Sequence, residues 1–194
     1  MPELPEVETI RRGLSEVFLG KSIKAVAINR YDLRRPIPKT FAALLTGRQI
    51  RSIDRRGKYL LLCLDDDSVI IIHLGMSGRM VIGGAEELGR HDHVVFYFAD
   101  GQEIRFNDPR RFGSMDITTV SRLSSHPVIR GLGIEPLTPE FTEKWLAQRL
   151  LNRRAPIKNL LMDQTIIAGL GNIYVCESLF QAGISPRRSG SNVK

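Results

Sequence analysis

A chain of 194 residues holds one sizeable domain, or one with a small companion, and 42% hydrophobic against 25% charged residues excludes disorder as its default state. No run approaches the roughly 20 apolar residues of a membrane span and no apolar leader follows Met1, so a soluble cytoplasmic protein with no membrane partner is expected. The excess of 28 Lys and Arg over 21 Asp and Glu gives a formal net charge of +7. That balance favours a polyanionic partner, because neutralising phosphates releases counterions, although a basic solvated surface has the same composition.

In chain order, Leu4, Val7, Ile10, Leu14 and the pair Val17 and Phe18 recur at three- and four-residue steps. This spacing predicts an amphipathic helix that Gly20 stops. Strand-like segments follow at 23–29, 49–54, 59–64, 69–73, 79–82, 93–98, 103–107 and 114–118, with a short helix at 39–45 between the first two. Turn chemistry separates several of them, most plainly Asp100-Gly101. Many short strands joined by hairpins predict a β-sandwich or flattened barrel.

After residue 123 the pattern changes. Pro127, Pro136 and Pro139 mark 124–139 as a linker. Three helical stripes follow: Phe141, Trp145, Leu146 and Leu150; Ile157, Leu160 and Leu161; Ile173, Cys176, Leu179 and Phe180. Between the last two, Ala-Gly-Leu-Gly-Asn (168–172) is a glycine-rich turn opening a helix. The tail 185–194 is polar and basic, without apolar periodicity. The fold expected is therefore α+β, with a β domain over 1–123, a linker over 124–139 and a helical part over 140–194. At roughly 55 residues that last part is small for an independent core, so it either docks on the β domain or has lost a continuation.

The first residues carry the most chemistry. Removal of Met1 would leave Pro2 as a secondary amine with a pKa of roughly 8, able to attack an aldehyde-like carbon and form an iminium. Glu3 adjoins it and Glu6 lies one helical turn on, which places a proton donor or acceptor close by. The same residues are also ordinary chemistry for a helix N-terminus. Lys58 follows a glycine turn and reads either as an anion contact or as a surface charge. Met76, between Gly75 and Gly78, is either a wedge for a base stack or a core residue beside a bulge. Asp-Pro-Arg-Arg-Phe-Gly (108–113) joins two arginines to an aromatic in one loop, as phosphate contacts beside a stacking group would be.

In His91-Asp92-His93, neighbours on a strand point to opposite faces, so one histidine facing DNA and one facing inward is expected rather than a metal pair. Cys63 and Cys176 lack C-x-x-C spacing and read as reduced, packed thiols. Arg149, Arg153, Arg154 and Lys158 cluster ahead of the glycine-rich turn, whose helix start is a ready anion site.

Together these pieces resemble the formamidopyrimidine-DNA glycosylase family over nearly the whole chain. The resemblance rests on Pro-Glu-Leu-Pro-Glu-Val-Glu (2–8), Lys-Tyr-Leu-Leu (58–61), His-Leu-Gly-Met-Ser-Gly (73–78) and His-Asp-His (91–93). It continues in Asp-Pro-Arg-Arg-Phe-Gly (108–113), Gly-Leu-Gly-Asn-Ile-Tyr (169–174) and Glu-Ser-Leu-Phe (177–180). The opening Glu-Leu-Pro-Glu-Val looks like the branch that excises purines.

The resemblance implies a two-layer β-sandwich flanked by helices, a partial helix–two-turn–helix domain, and damaged double-stranded DNA bound between them by a monomer. It implies a bifunctional enzyme that releases oxidised purines and cleaves the abasic strand by β,δ-elimination. Pro2 would attack C1′, Glu3 would protonate the sugar, Glu6 would support it, and Lys58 would contact the lesion site. Met76, Arg110 and Phe112 would fill the gap left by the flipped base. His73, His91, Arg153, Lys158, Asn172 and Tyr174 correspond to positions at or near DNA phosphates. The family ends in a zinc finger, and four cysteines for it are not found here, so no cofactor is expected in this chain, and weak DNA binding with strongly reduced or absent turnover is expected. Two rivals stand beside this reading: a non-catalytic nucleic-acid-binding module, favoured if Met1 is retained, and a structural subunit of a larger assembly.

Overall fold

The computed structural model describes residues 2–84 and 87–193. Met1, whose removal the Pro2 chemistry needs, lies outside the described residues. The chain divides after His126 into two compact units.

The first unit opens with α1 (Leu4–Phe18), with Pro5 in the first turn, where its missing N–H costs no helical bond. Val7, Leu14 and Phe18 face the core, and the helix ends before Gly20, whose φ of +79° a side chain would resist. There follow β1 (Ile23–Ile28), α2 (Phe41–Leu45), β2 (Ile50–Arg56), β3 (Tyr59–Leu64), β4 (Ser68–His73) and β5 (Arg79–Gly83). Then come β6 (Asp92–Phe98), β7 (Glu103–Asn107), β8 (Ser114–Thr119) and α3 (Val120–Leu123). The strands form two antiparallel four-stranded sheets, ordered β1-β6-β7-β5 and β2-β3-β4-β8.

One core joins the sheets. Val94, Phe96, Phe98, Ile104 and Phe106 from the first share it with Ile53, Leu60, Leu62, Ile70, Ile72 and Met115 from the second. These residues fall at every second position, so each strand turns one face inward, as a sandwich requires. Phe18 of α1 packs on Phe98 with ring centroids 4.5 Å apart, and Phe41 of α2 meets Phe96 edge-on.

The second unit holds α4 (Glu143–Leu150), α5 (Ile157–Met162) and α6 (Asn172–Gln181) around Leu150, Ile157, Leu160, Ile167, Val175 and Leu179. The Thr142 hydroxyl caps α4 by accepting the Trp145 N–H at 3.1 Å. The proline-bearing stretch before α4 is tied in: Gly133 N–H donates to Gln164, and Ile134 pairs in parallel with Ile167. The tail also turns back on its own unit. Pro156 bridges Ser189, Ile157 N–H donates to the Arg188 carbonyl at 2.7 Å, and Gly190 is buried against Leu160. Its polar composition hid this because backbone bonds, not apolar periodicity, hold it.

Candidate active site

The helix start and the β2–β3 turn each supply part of a charged cluster. Glu3 precedes α1 and is 2% exposed, and its N–H donates to the Glu6 carboxylate at 2.9 Å. Glu6 thus fixes the direction in which the chain enters the helix, and with it the position of Pro2. Lys58, one residue past Gly57 (φ +56°), is 6% exposed. Burial lowers its pKa, while the nearby Glu3 and Glu6 charges raise it in opposition. The structure therefore gathers Glu3, Glu6 and Lys58, with Pro2 immediately before them in the chain.

Glu8, absent from the sequence-derived site, bolts α1 to this turn. Its carboxylate accepts from Arg11 at 2.9 Å, from Arg12 at 3.0 Å and from Arg55 of β2 at 3.2 Å. Arg55 in turn donates to the Gly57 carbonyl at 3.0 Å. The Arg11 hydrogen bond chiefly, with Arg12 and Arg55 and against the cost of burial, lowers the Glu8 pKa from 4.5 to about 2. A depressed carboxylate stabilises the fold above its unfolded pKa and loses that contribution as pH falls from about 4.5 to about 2. Glu8→Gln is therefore expected to lower stability by about 1 kcal/mol at pH 7, the half-exposed setting discounting the pairs. Urea unfolding at pH 7 and pH 2 checks this: the gap from wild type should close at the lower pH.

A second cluster sits at the ends of β4 and β7. Met76 is 46% exposed on the turn after β4, which removes the core-residue reading. Phe112 is 41% exposed, and the Arg110 guanidinium lies over its ring at 4.6 Å. These three, with Gly75, Arg111, Asp32 and Arg34, line a cleft of about 620 Å³. Arg34 and Asp32 carried no signal in the sequence; Asp32 pairs with Arg111 at 2.6 Å and joins the loop after β1 to this edge.

His73 accepts the Gly75 N–H on Nδ1 at 3.1 Å, which leaves its ring proton on Nε2 as a donor. Burial first, then Arg34 and Lys58, lowers its pKa from 6.5 to about 4. The ring is thus neutral through the physiological range, and a nuclear magnetic resonance titration should show no His73 step between pH 5 and 8. A midpoint near 6.5 would contradict the burial argument. His93 is the inward member of its pair, 4% exposed with Nε2 at 2.8 Å from the Asp108 carbonyl, while His91 is half-buried.

In the second unit, Arg153 and Arg154 are exposed, Lys158 is half-buried, and the returning tail brings Arg188 beside α5. Asn172 and Tyr174 open α6 behind Gly171. Gln164 orders the two turns before it: its amide donates to Met162 and Leu170 carbonyls, and its oxygen accepts the Gly169 N–H.

Residues 1–115 match the model of the formamidopyrimidine-DNA glycosylase N-terminal domain, and residues 132–194 that of the formamidopyrimidine-DNA glycosylase H2TH domain. The chain belongs to the formamidopyrimidine-DNA glycosylase family. A formamidopyrimidine-DNA glycosylase of Azorhizobium caulinodans is 50% identical over an alignment 206 positions long, covering all of this chain and 70% of the relative. One from Ruegeria sp. is 48% identical over 202, covering all of this chain and 71% of the relative.

Among solved structures, Lactococcus lactis formamidopyrimidine-DNA glycosylase bound to DNA with an abasic site superposes with a TM-score of 0.92 at 33% identity, over 99% of this chain and 74% of that one. The same enzyme with DNA containing a formamidopyrimidine lesion gives 0.91 at 34%, over 99% and 72%. The family's α+β sandwich and helix–two-turn–helix are both present here. Cys63 and Cys176 fall in different units, and no group of three or more potential metal ligands gathers among the described residues.

Proposed function

We propose that this chain releases oxidised purines, 8-oxoguanine and formamidopyrimidines, from damaged double-stranded DNA and cleaves the strand at the abasic site. What carries the reading is Glu3, buried at the head of α1 beside Lys58, in a charged cluster that the N-terminal residue adjoins. With Met1 removed, Pro2 is a secondary amine at a helix N-terminus, where the dipole favours the uncharged form, so a useful fraction is an unprotonated nucleophile at neutral pH.

The reaction follows from the parts. The nucleotide is flipped out of the stack, and Met76, Arg110 and Phe112 fill the gap. The Pro2 nitrogen attacks C1′ as the bond to the base breaks, the proton shed by Pro2 leaves with the base, and Glu3 protonates the sugar ring oxygen, which opens the ring to an iminium. β-Elimination then expels the 3′ phosphate and δ-elimination the 5′ phosphate, and water hydrolyses the iminium to regenerate Pro2. Lys58 contacts the lesion site and a phosphate, and Glu6 holds Glu3 in place. His73, through neutral Nε2–H, and His91, Arg153, Lys158, Asn172 and Tyr174 contact phosphates. Nucleophile and acid both come from the chain.

A duplex carrying one 8-oxoguanine tests the reading. Free base and a one-nucleotide gap with phosphate at both ends should form in equal amounts. Base release with an intact strand would remove the lyase half, and tight binding with neither product would identify a non-catalytic DNA-binding module.

A further inference from the structure

Asp108 heads the loop that carries Arg110 and Phe112, yet its side chain points inward and is fully buried. One carboxylate oxygen accepts the Ser77 hydroxyl at 2.6 Å, and the other accepts the Gly113 N–H at 2.8 Å. Ser77 belongs to the turn that carries Met76, and its hydroxyl also accepts the Arg110 N–H at 3.3 Å. The Asp108 backbone is held as well: its N–H donates to the His91 carbonyl at 3.0 Å, and its carbonyl meets His93 Nε2 at 2.8 Å. One buried carboxylate therefore ties together two loops 31 residues apart in sequence.

The backbones of those loops are also in contact. Gly75, with φ +66°, leaves no room for a Cβ, which would run into the Phe112 carbonyl carbon. A Cβ at Gly113 would meet the Phe106 ring at 2.5 Å and the His73 carbonyl at 2.8 Å. Met76 and Phe112 are thus half-exposed side chains on backbones that have little freedom.

We propose that Asp108 is the positioning residue that sets Met76, Arg110 and Phe112 as one rigid wedge, so that gap filling in duplex DNA depends on a carboxylate that does not itself reach the DNA. The inference rests on the wedge assignment made above. A wedge already ordered before contact spends none of its binding energy on ordering two loops, and a displacement of about 1 Å in such a group costs on the order of 10²-fold in rate.

The geometry sets the variants. Asp108→Ala leaves the Gly113 N–H and the Ser77 hydroxyl without their acceptor. Asp108→Asn restores both contacts by turning its oxygen to Gly113 and its amide to Ser77, whose hydroxyl can accept. Ser77→Ala removes one arm of the carboxylate together with the acceptor of the Arg110 N–H, and leaves the bond to Gly113. Excision of 8-oxoguanine from duplex should fall about 10²-fold in Asp108→Ala, recover to within a few-fold in Asp108→Asn and fall roughly 3- to 10-fold in Ser77→Ala. Borohydride trapping on a single-stranded abasic oligonucleotide, which has no duplex gap to fill, should be unchanged in all three.

Trapping that falls in step with excision, or excision unchanged in every folded variant, overturns the proposal. If Asp108→Ala does not fold, the selective duplex defect of Ser77→Ala decides. Amide exchange in DNA-free protein reads the clasp by itself: Gly75, Met76 and Ser77 should speed up together with Arg110 to Gly113 in Ser77→Ala, and uncoupled or unchanged exchange also overturns it. A wild-type protein that neither excises nor traps would instead remove the glycosylase reading, and the exchange result would still stand or fall separately.

Discussion

Glu3→Gln is expected to cut 8-oxoguanine release by about 10²–10⁴-fold, the usual contribution of a positioned general acid. The buried carboxyl would be replaced by an amide of nearly the same shape, so the Glu3 N–H bond to Glu6 and the start of α1 should persist. The same substitution should weaken strand cleavage at a preformed abasic site far less. There the sugar already exists partly as the open aldehyde, and no ring oxygen has to be protonated for Pro2 to condense with it. Parallel assays on the two substrates measure the split. Equal losses on both would place Glu3 in the eliminations or in the fold, not in ring opening.

The largest stability effect is expected at Phe106. Its ring is fully buried between the sheets and fills the space that a Cβ on Gly78 or Gly113, two glycines of the wedge loops, would need. Phe106→Ala removes a ring that no neighbour can replace and should cost about 3–5 kcal/mol. That is a large part of the roughly 5–15 kcal/mol that holds a domain together, and a melting shift on the order of 10 °C follows. Phe106→Leu keeps most of the volume and should recover more than half of the loss. Calorimetry on the three proteins checks this, and a shift of only a degree or two for the alanine variant would mean that the core closes over the gap.

Most strands were legible because short apolar and β-branched runs bounded by turn residues are a local signal, as in Tyr59–Leu64 and Ser68–His73. The order of the strands was not legible. Pairing of β1 with β6 joins Ile28 to Val94, and no local pattern announces a partner that far along the chain. The four-residue α3 was missed because one helical turn has no period to detect.

Within the site, Pro2, Glu3, Glu6, Lys58, Met76, Arg110 and Phe112 stood out by residue type and position beside plainer readings, and the family resemblance supplied their roles. The supports were invisible for a common reason. Glu8 looked like one more helix-surface acid, and Asp108 like the first residue of an exposed turn, because burial and partners arise only when distant segments meet. Arg34 and Asp32 reach the cleft for the same reason, carried there by the loop after β1.

The measurement that bears most directly on the account is borohydride reduction of the protein with abasic-site duplex, followed by mass mapping of the adduct. A single adduct on the nitrogen of Pro2, in protein from which Met1 has been removed, is the predicted result. An adduct on Lys58, or none from folded, Met1-free protein, would contradict it.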